Sequence, residues 1–299
     1  MAAIQDPSVQ RRRLRSELRK LRETAGLKQG EVAKAMDWSP SKLIRIEGGQ
    51  VSISTNDLRA LLTHYNVKDS RRATSLIELA KSSRGTSFYD QYLSVLKPGF
   101  REYLAYEGAA SVIRQYDPVY VSGLLQTEEY ARAILKFAAG FDEEQAERAW
   151  IVREHRQEIH DRDDPPEMHV IVDESVLRRR VGHRDRTMIR QLERLKEYGA
   201  QPHVTLRVLP FAVGAHPGMQ GNFILLEFAE ADLDEVVHIE TVEDITIKDD
   251  AELIARYLDR FEDLERLAMS PEDSVVFLDK LIAEMNSERS DDATMQAAV

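Results

Sequence analysis

The chain has no cysteine. That removes disulfides, a thiol nucleophile, iron–sulfur ligation and any cysteine zinc site, and leaves stability to packing. Long apolar runs are missing too. Nothing approaches the roughly 18 consecutive apolar residues of a membrane span, and the N-terminal stretch carries Arg11, Arg12 and Arg13 ahead of an amphipathic pattern where a signal sequence has an apolar core. A cytoplasmic, nucleoid-associated protein without membrane contact is therefore expected. Two enzyme signatures are absent as well: no G-x-S-x-G elbow for a hydrolase nucleophile and no Walker-type loop for a nucleotide phosphate. On the helical run 155–160, Glu158 shares a face with His155, but His160 falls off it, a poor arrangement for a metal. No catalytic residue, metal or cofactor is assigned, and an enzyme is not expected.

The whole-chain charge of -11 conceals a division. Residues 1–85 hold 17 Lys/Arg against 9 Asp/Glu, whereas residues 86–299 hold 24 against 43. Phosphate neutralisation is local to a contacting face, so a basic module joined to an acidic one fits a nucleic-acid-binding head on a non-binding body.

Periodicity divides the chain at the same place. Leu14, Leu18, Leu21 and Arg22 set a helical stripe over residues 13–25, which Gly26 ends as a left-handed cap. A second helix over 29–36 buries Val32, Ala33 and Met36, and Asp37-Trp38 makes a turn. Ser39 and Pro40 then start a third helix that reaches Glu47 and stops at Gly48-Gly49. Ser54 or Thr55 caps a fourth helix bearing Leu58, Leu61, Leu62 and Tyr65, and a fifth carries Leu76 and Ile77. The expected organisation is an all-α bundle over 1–81, a linker over 82–90, an α/β (α+β) domain with a small sheet flanked by helices over 91–286, and a disordered tail over 287–299. In the second domain, extended pieces are expected at 111–116 and 119–121. Strands are expected at 168–172, 204–209, 223–228 and 236–240, the last two pairing across a turn near Asp232. Helices are expected at 127–138, 143–162, 184–198, 252–268 and 271–285.

Residues 27–49 carry the most specific signal. Two short helices joined by a tight turn need a small residue inside the first, here Ala33, and an apolar seam, here Val32, Met36, Leu43 and Ile46. The outward face of the second helix is then open to a major groove. Ile44 either packs against the fourth helix or meets a thymine methyl, and packing is the expectation. Trp38 and Glu47 read as structural. Arg11, Arg12 and Arg13 either reach a flanking minor groove or form a charged helix face.

This segment resembles the Cro/CI (XRE) helix-turn-helix family. The resemblance implies a double-stranded DNA operator read by a dimer. It places Ser39, Pro40, Ser41, Lys42 and Arg45 at base edges or flanking phosphates, with Arg45 suited to a bidentate guanine contact. Gln29 and Lys28 fall at the backbone-holding start of the first motif helix.

Gly123-Leu124-Leu125-Gln126-Thr127-Glu128-Glu129-Tyr130, Val172-Asp173-Glu174-Ser175, Leu209-Pro210-Phe211, Gly214-Ala215-His216-Pro217-Gly218 and Gly221-Asn222-Phe223 resemble the C-terminal domain of WhiJ-like, antitoxin-like regulators of actinobacteria. Ser122 stands where that pattern has proline. The resemblance implies a regulator tuned by a small partner protein; the competing reading is a domain that only dimerises the head. A homodimer of repressor type is expected, because a single head buries too little DNA surface. The alternative is a small-molecule ligand held near residues 210–221, with Phe211, His216 and Met219 as the candidate loop. Asp173 with Glu174 resembles an acidic pair but equally serves as a helix cap, which is the expectation.

Overall fold

The computed structural model describes residues 6–48, 51–182, 185–229, 233–241 and 245–297. They group into two compact units: Met1–Gln91 with Arg101–Ala109 and Phe228–Asp234, and Tyr92–Phe100 with Ala110–Glu227 and Glu235–Val299. The division is not the single cut at 82–90 that composition suggests, because two short stretches of the later sequence pack with the N-terminal bundle.

In the first unit, α1 (Pro7–Thr24) starts ahead of the expected stripe, because Val9 is already buried. Gly26, at φ +70°, ends the chain's first turn away from it. Then come α2 (Gln29–Ala35), α3 (Pro40–Glu47), α4 (Thr55–His64) and α5 (Ser70–Ser82). Between α2 and α3, Asp37 takes φ +54° and the Trp38 N–H donates to the Ala33 carbonyl at 2.8 Å. Such positive φ is tolerated by Asp better than by most side chains. Ser54 caps α4 by accepting the Asp57 N–H, and Asp69 caps α5. Leu14, Leu18, Leu21, Val32, Leu43, Ile46, Leu58 and Leu61 form one core, each burial contributing about 1.5–3 kcal/mol. The Gly49 half of the expected helix stop lies outside the described residues. A sixth helix, α6 (Phe100–Ala109), joins this unit from Arg101 onward.

The second unit is built on a six-stranded sheet in the order β3-β2-β1-β4-β5-β6. The strands are β1 (Val112–Asp117), β2 (Glu167–Asp173), β3 (Val204–Leu209), β4 (Phe223–Glu227), β5 (Val236–Glu240) and β6 (Ile245–Lys248). β1, β2 and β3 are parallel, joined through α7 (Glu128–Ala138), α8 (Glu143–Gln157), a short α9 (Glu174–Arg178) and α10 (Asp185–Gly199). The remaining pairs are antiparallel. Tyr116, Ile171, Leu209, Phe223, Leu225 and Val237 share one face and pack under Ile254, Phe261 and Leu264 of α11 (Ala251–Leu267). The alternate residues, such as Ile113, Val170, Val172 and Leu226, are buried on the other face. The outer edge of β3 is closed: the Val208 N–H donates to the Ser274 hydroxyl and the Val208 carbonyl accepts from Met269.

Several sequence expectations change here. β6 was not anticipated, being short and followed by Asp249-Asp250. Residues 119–121 are not a strand, since Asp117 accepts the N–H groups of Val119 and Tyr120 and turns the chain. The helix expected over 143–162 breaks at Gln157 into a 3-10 turn, where His160 stacks on Tyr198 and contacts His203 at 3.1 Å. Burial and His203 push the His160 pKa down to about 4. The final helix, α12 (Pro271–Ala297), runs through most of the expected tail, because residues 286–297 hold no Gly or Pro to stop it. The turn near Asp232 lies outside the described residues.

Burial pushes the Asp117 carboxyl up to about 6, against the two N–H bonds that lower it. The folded chain thus holds this proton more tightly than the unfolded chain. The favourable contribution is present below pH 4 and is lost as pH climbs through about 6. Asp117→Asn keeps a carbonyl acceptor for the turn and removes the buried charge. It is expected to stabilise the chain by about 1–2 kcal/mol at pH 7 and to leave it unchanged at pH 4, measured by urea unfolding.

Candidate nucleic-acid interface

The helical period decides what α3 offers. Leu43 and Ile46 point into the core, which leaves Pro40, Ser41, Ile44 and Arg45 together on the exposed face. Ile44 is 53% exposed, so the expected packing against α4 does not occur: it lies on the Ser41 and Arg45 stripe, a turn from the buried one. An exposed apolar side chain between two polar ones suits a thymine methyl. Among the described residues the Arg45 side chain has no hydrogen bond or ion pair, which leaves its planar fork available for a guanine edge.

A buried ionic knot holds this face in place. Glu47, with its side chain 4% exposed, accepts Nε and Nη2 of Arg22 at 2.8 and 3.1 Å and Nε2 of Gln29 at 2.7 Å, tying α3 to α1 and α2. Arg22 also donates to the Leu27 carbonyl. Donation to the Glu47 carboxylate raises the Arg22 pKa further. Sequence analysis missed this knot. Its one signal was an arginine at an inward stripe position, since a buried charge requires a partner.

The other sequence candidates fall as follows. Gln29 stands first in α2, but its amide N–H is engaged by Glu47, so what it presents outward is the helix N-terminus. The Lys28 backbone N–H donates to Glu31, and its side chain is exposed. Ser39 occupies the cap position of α3 without a side-chain cap bond; its hydroxyl sits 3.3 Å from that of Ser41. Lys42 lies over the Trp38 ring at 4.2 Å with its ammonium 3.0 Å from Asp57, so in this arrangement it braces the motif.

The arginine run is not an extended arm. Arg12 is buried, stacks on Tyr106 at 4.6 Å and donates to the Asp234 carbonyl, while Arg11 donates to the Ser83 carbonyl. Arg15 reaches Glu102 and the Tyr106 hydroxyl, and Ser16 and Lys20 hold the Asp234 carboxylate. Arg13 lines an open groove between α1 and α5 with Glu17 and Arg72. The aromatic face of Tyr106 and the acids of the two added stretches attract these cations more effectively than solvent does. Phe211, His216 and Met219 belong to the second unit: Phe211 and Met219 are exposed, and His216 turns inward.

Among the described residues no helix is long and apolar enough to cross a membrane. Residues 13–74 match a family described as a helix-turn-helix domain, and residues 100–280 match one described as a domain of unknown function (DUF5753). No curated protein and no solved structure matches the chain. With the helix-turn-helix geometry ahead of it and the matched region spanning more than half of its length, the chain belongs to the family of the domain of unknown function DUF5753.

Proposed function

We propose that this protein is a sequence-specific transcription regulator of the Cro/CI (XRE) type, a repressor that binds its operator as a homodimer. The observation that carries the reading is the outward stripe of Ser41, Ile44 and Arg45 on a helix locked from behind by Glu47. One head covers too little DNA for high specificity, so paired half-sites about one helical turn apart are the natural target of such a module. The second unit modulates binding and does no chemistry. Its resemblance to WhiJ-like, antitoxin-like regulators supports a small partner protein as the modulator. Sedimentation of the full-length chain with a selected operator tests the dimer: two protomers per site are expected, and a one-to-one complex protecting a single half-site would contradict it.

A second reading, in which the second unit binds a small molecule near residues 210–221, is favoured by one observation. The hydroxyl of Tyr116 is buried beneath that loop, where Asp173 is near but no well-formed hydrogen bond is made.

A further inference from the structure

β3 and β4 are separated in the sheet by β2 and β1, so the connection over residues 210–222 crosses the carboxyl ends of both. In open α/β sheets that crevice is where ligands bind. The crossing consists of two 3-10 turns, Phe211–Val213 and Pro217–Gln220, punctuated by Gly214 at φ +72° and Gly221 at φ +129°. Both glycines face open space, whereas a Cβ on Gly218 would lie 2.5 Å from the Tyr116 ring. The crossing is therefore seated on Tyr116 at Gly218, while Gly214 and Gly221 point away from other atoms.

Beneath it the polar groups are incompletely matched. Tyr116 is fully buried and its hydroxyl makes no well-formed hydrogen bond, although Asp173 is near enough, together with burial, to push its pKa up and keep it protonated. Asp173 lies on the same face of the sheet. One of its oxygens caps α9 through the Ser175 N–H; the other stands 3.9 Å from Nε2 of His216, beyond hydrogen-bond length. Nδ1 of His216 is buried and unpartnered as well. Among the described residues no Lys or Arg pairs with Asp173; Arg178 goes to Glu174, which also accepts the Phe211 N–H. At the surface, Phe211 and Met219 stand out on the two turns of the same crossing. Buried polar groups left unmatched in this way call for a partner.

We propose that the 210–222 crossing is the lid of an effector site for a small amphipathic organic cation. Its ammonium donates to the Asp173 carboxylate, while the Tyr116 hydroxyl and His216 Nδ1 serve its polar neighbours and Phe211 and Met219 cover its apolar body. This rests on the small-molecule reading and narrows it to a chemical class, since an anionic ligand would meet the uncompensated Asp173 carboxylate.

The test is calorimetric titration of the full-length chain with phenethylamine and hexylamine, against 2-phenylethanol and 3-phenylpropanoate as uncharged and anionic counterparts. Binding of the amines alone is expected, weakened at least tenfold by Asp173→Asn and several-fold by Tyr116→Phe. Tyr116→Phe is also expected to raise the thermal midpoint by about 2–4 °C, because it removes an unsatisfied buried hydroxyl; this variant serves even if Asp173→Asn does not fold. Native mass spectrometry of the purified chain supplies the second arm. Binding of the alcohol or the carboxylate, or a retained metabolite without a cationic group, overturns the cation while sparing the ligand reading. No binding by any probe and no retained molecule overturns both, and amine binding unchanged in both variants overturns the site.

Discussion

Arg45→Ala is expected to weaken binding to the cognate operator by about 1–3 kcal/mol, roughly ten- to a hundredfold, with little change on random DNA. The asymmetry follows from where the side chain stands. It is exposed on the outward stripe of α3, and among the described residues it has no hydrogen bond or ion pair, so its removal costs the fold nothing and the complex a base contact. Lys28 provides the contrast. Its side chain is exposed beside the N-terminus of α2, the position at which such a motif would hold the DNA backbone, so Lys28→Ala should weaken cognate and random DNA alike and reduce the salt dependence by about one unit of slope. Both variants are compared by fluorescence anisotropy at two salt concentrations. Equal losses on the two DNAs for Arg45→Ala would remove it from base reading.

Glu47→Ala is expected to have the largest effect on stability, about 3–5 kcal/mol. The substitution takes its bidentate partner from the buried Arg22 and its acceptor from the half-buried Gln29; Glu23, half exposed at 3.3 Å, and the Leu27 carbonyl stay with the guanidinium but offset only part of its desolvation. Fluorescence is a convenient readout, because Trp38 lies in the bundle and Trp150 in the second unit. Urea unfolding of the variant should show the Trp38 signal lost well before the signal of Trp150. A double substitution, Arg22→Met with Glu47→Leu, should recover much of the loss, since it leaves no orphaned charge. An unshifted transition in Glu47→Ala would mean that the knot contributes nothing.

The bundle was legible in the sequence because its information is local. Gly26, the Asp37 turn, Pro40 and the stripes of Leu14, Leu18, Leu21, Leu43 and Ile46 each declare themselves within a few residues. Strands β2, β3 and β4 were legible for the same reason, being short apolar runs with buried positions on both faces. What was not legible depends on partners far along the chain. Arg12 reads as an arm residue until Tyr106 and Asp234 are placed beside it, and Lys42 reads as a phosphate contact until Asp57 and Trp38 are. Ile44 differs in kind: its apolar character suggests packing, whereas its helical phase places it with Ser41 and Arg45. Tyr116 passed as one more strand residue, since nothing local shows that its hydroxyl lacks a partner.

The placement of the arginines also bears on how the head is best studied. Tyr106, Glu102 and Asp234 pack with the bundle, so a fragment ending near residue 85 would expose Arg12, Arg15 and Lys20. Such a fragment would gain non-specific affinity from cations that the full chain keeps engaged. Operator specificity is therefore measured on the whole protein.

The most direct measurement is selection of random double-stranded DNA by the full-length protein, followed by sequencing of the bound pool. Enrichment of a two-fold symmetric site is expected, with half-sites about 10 base pairs apart and a guanine in each half whose preference disappears in Arg45→Ala. A bound pool with no enriched sequence, or an unchanged preference in that variant, would contradict α3 as the element that reads DNA.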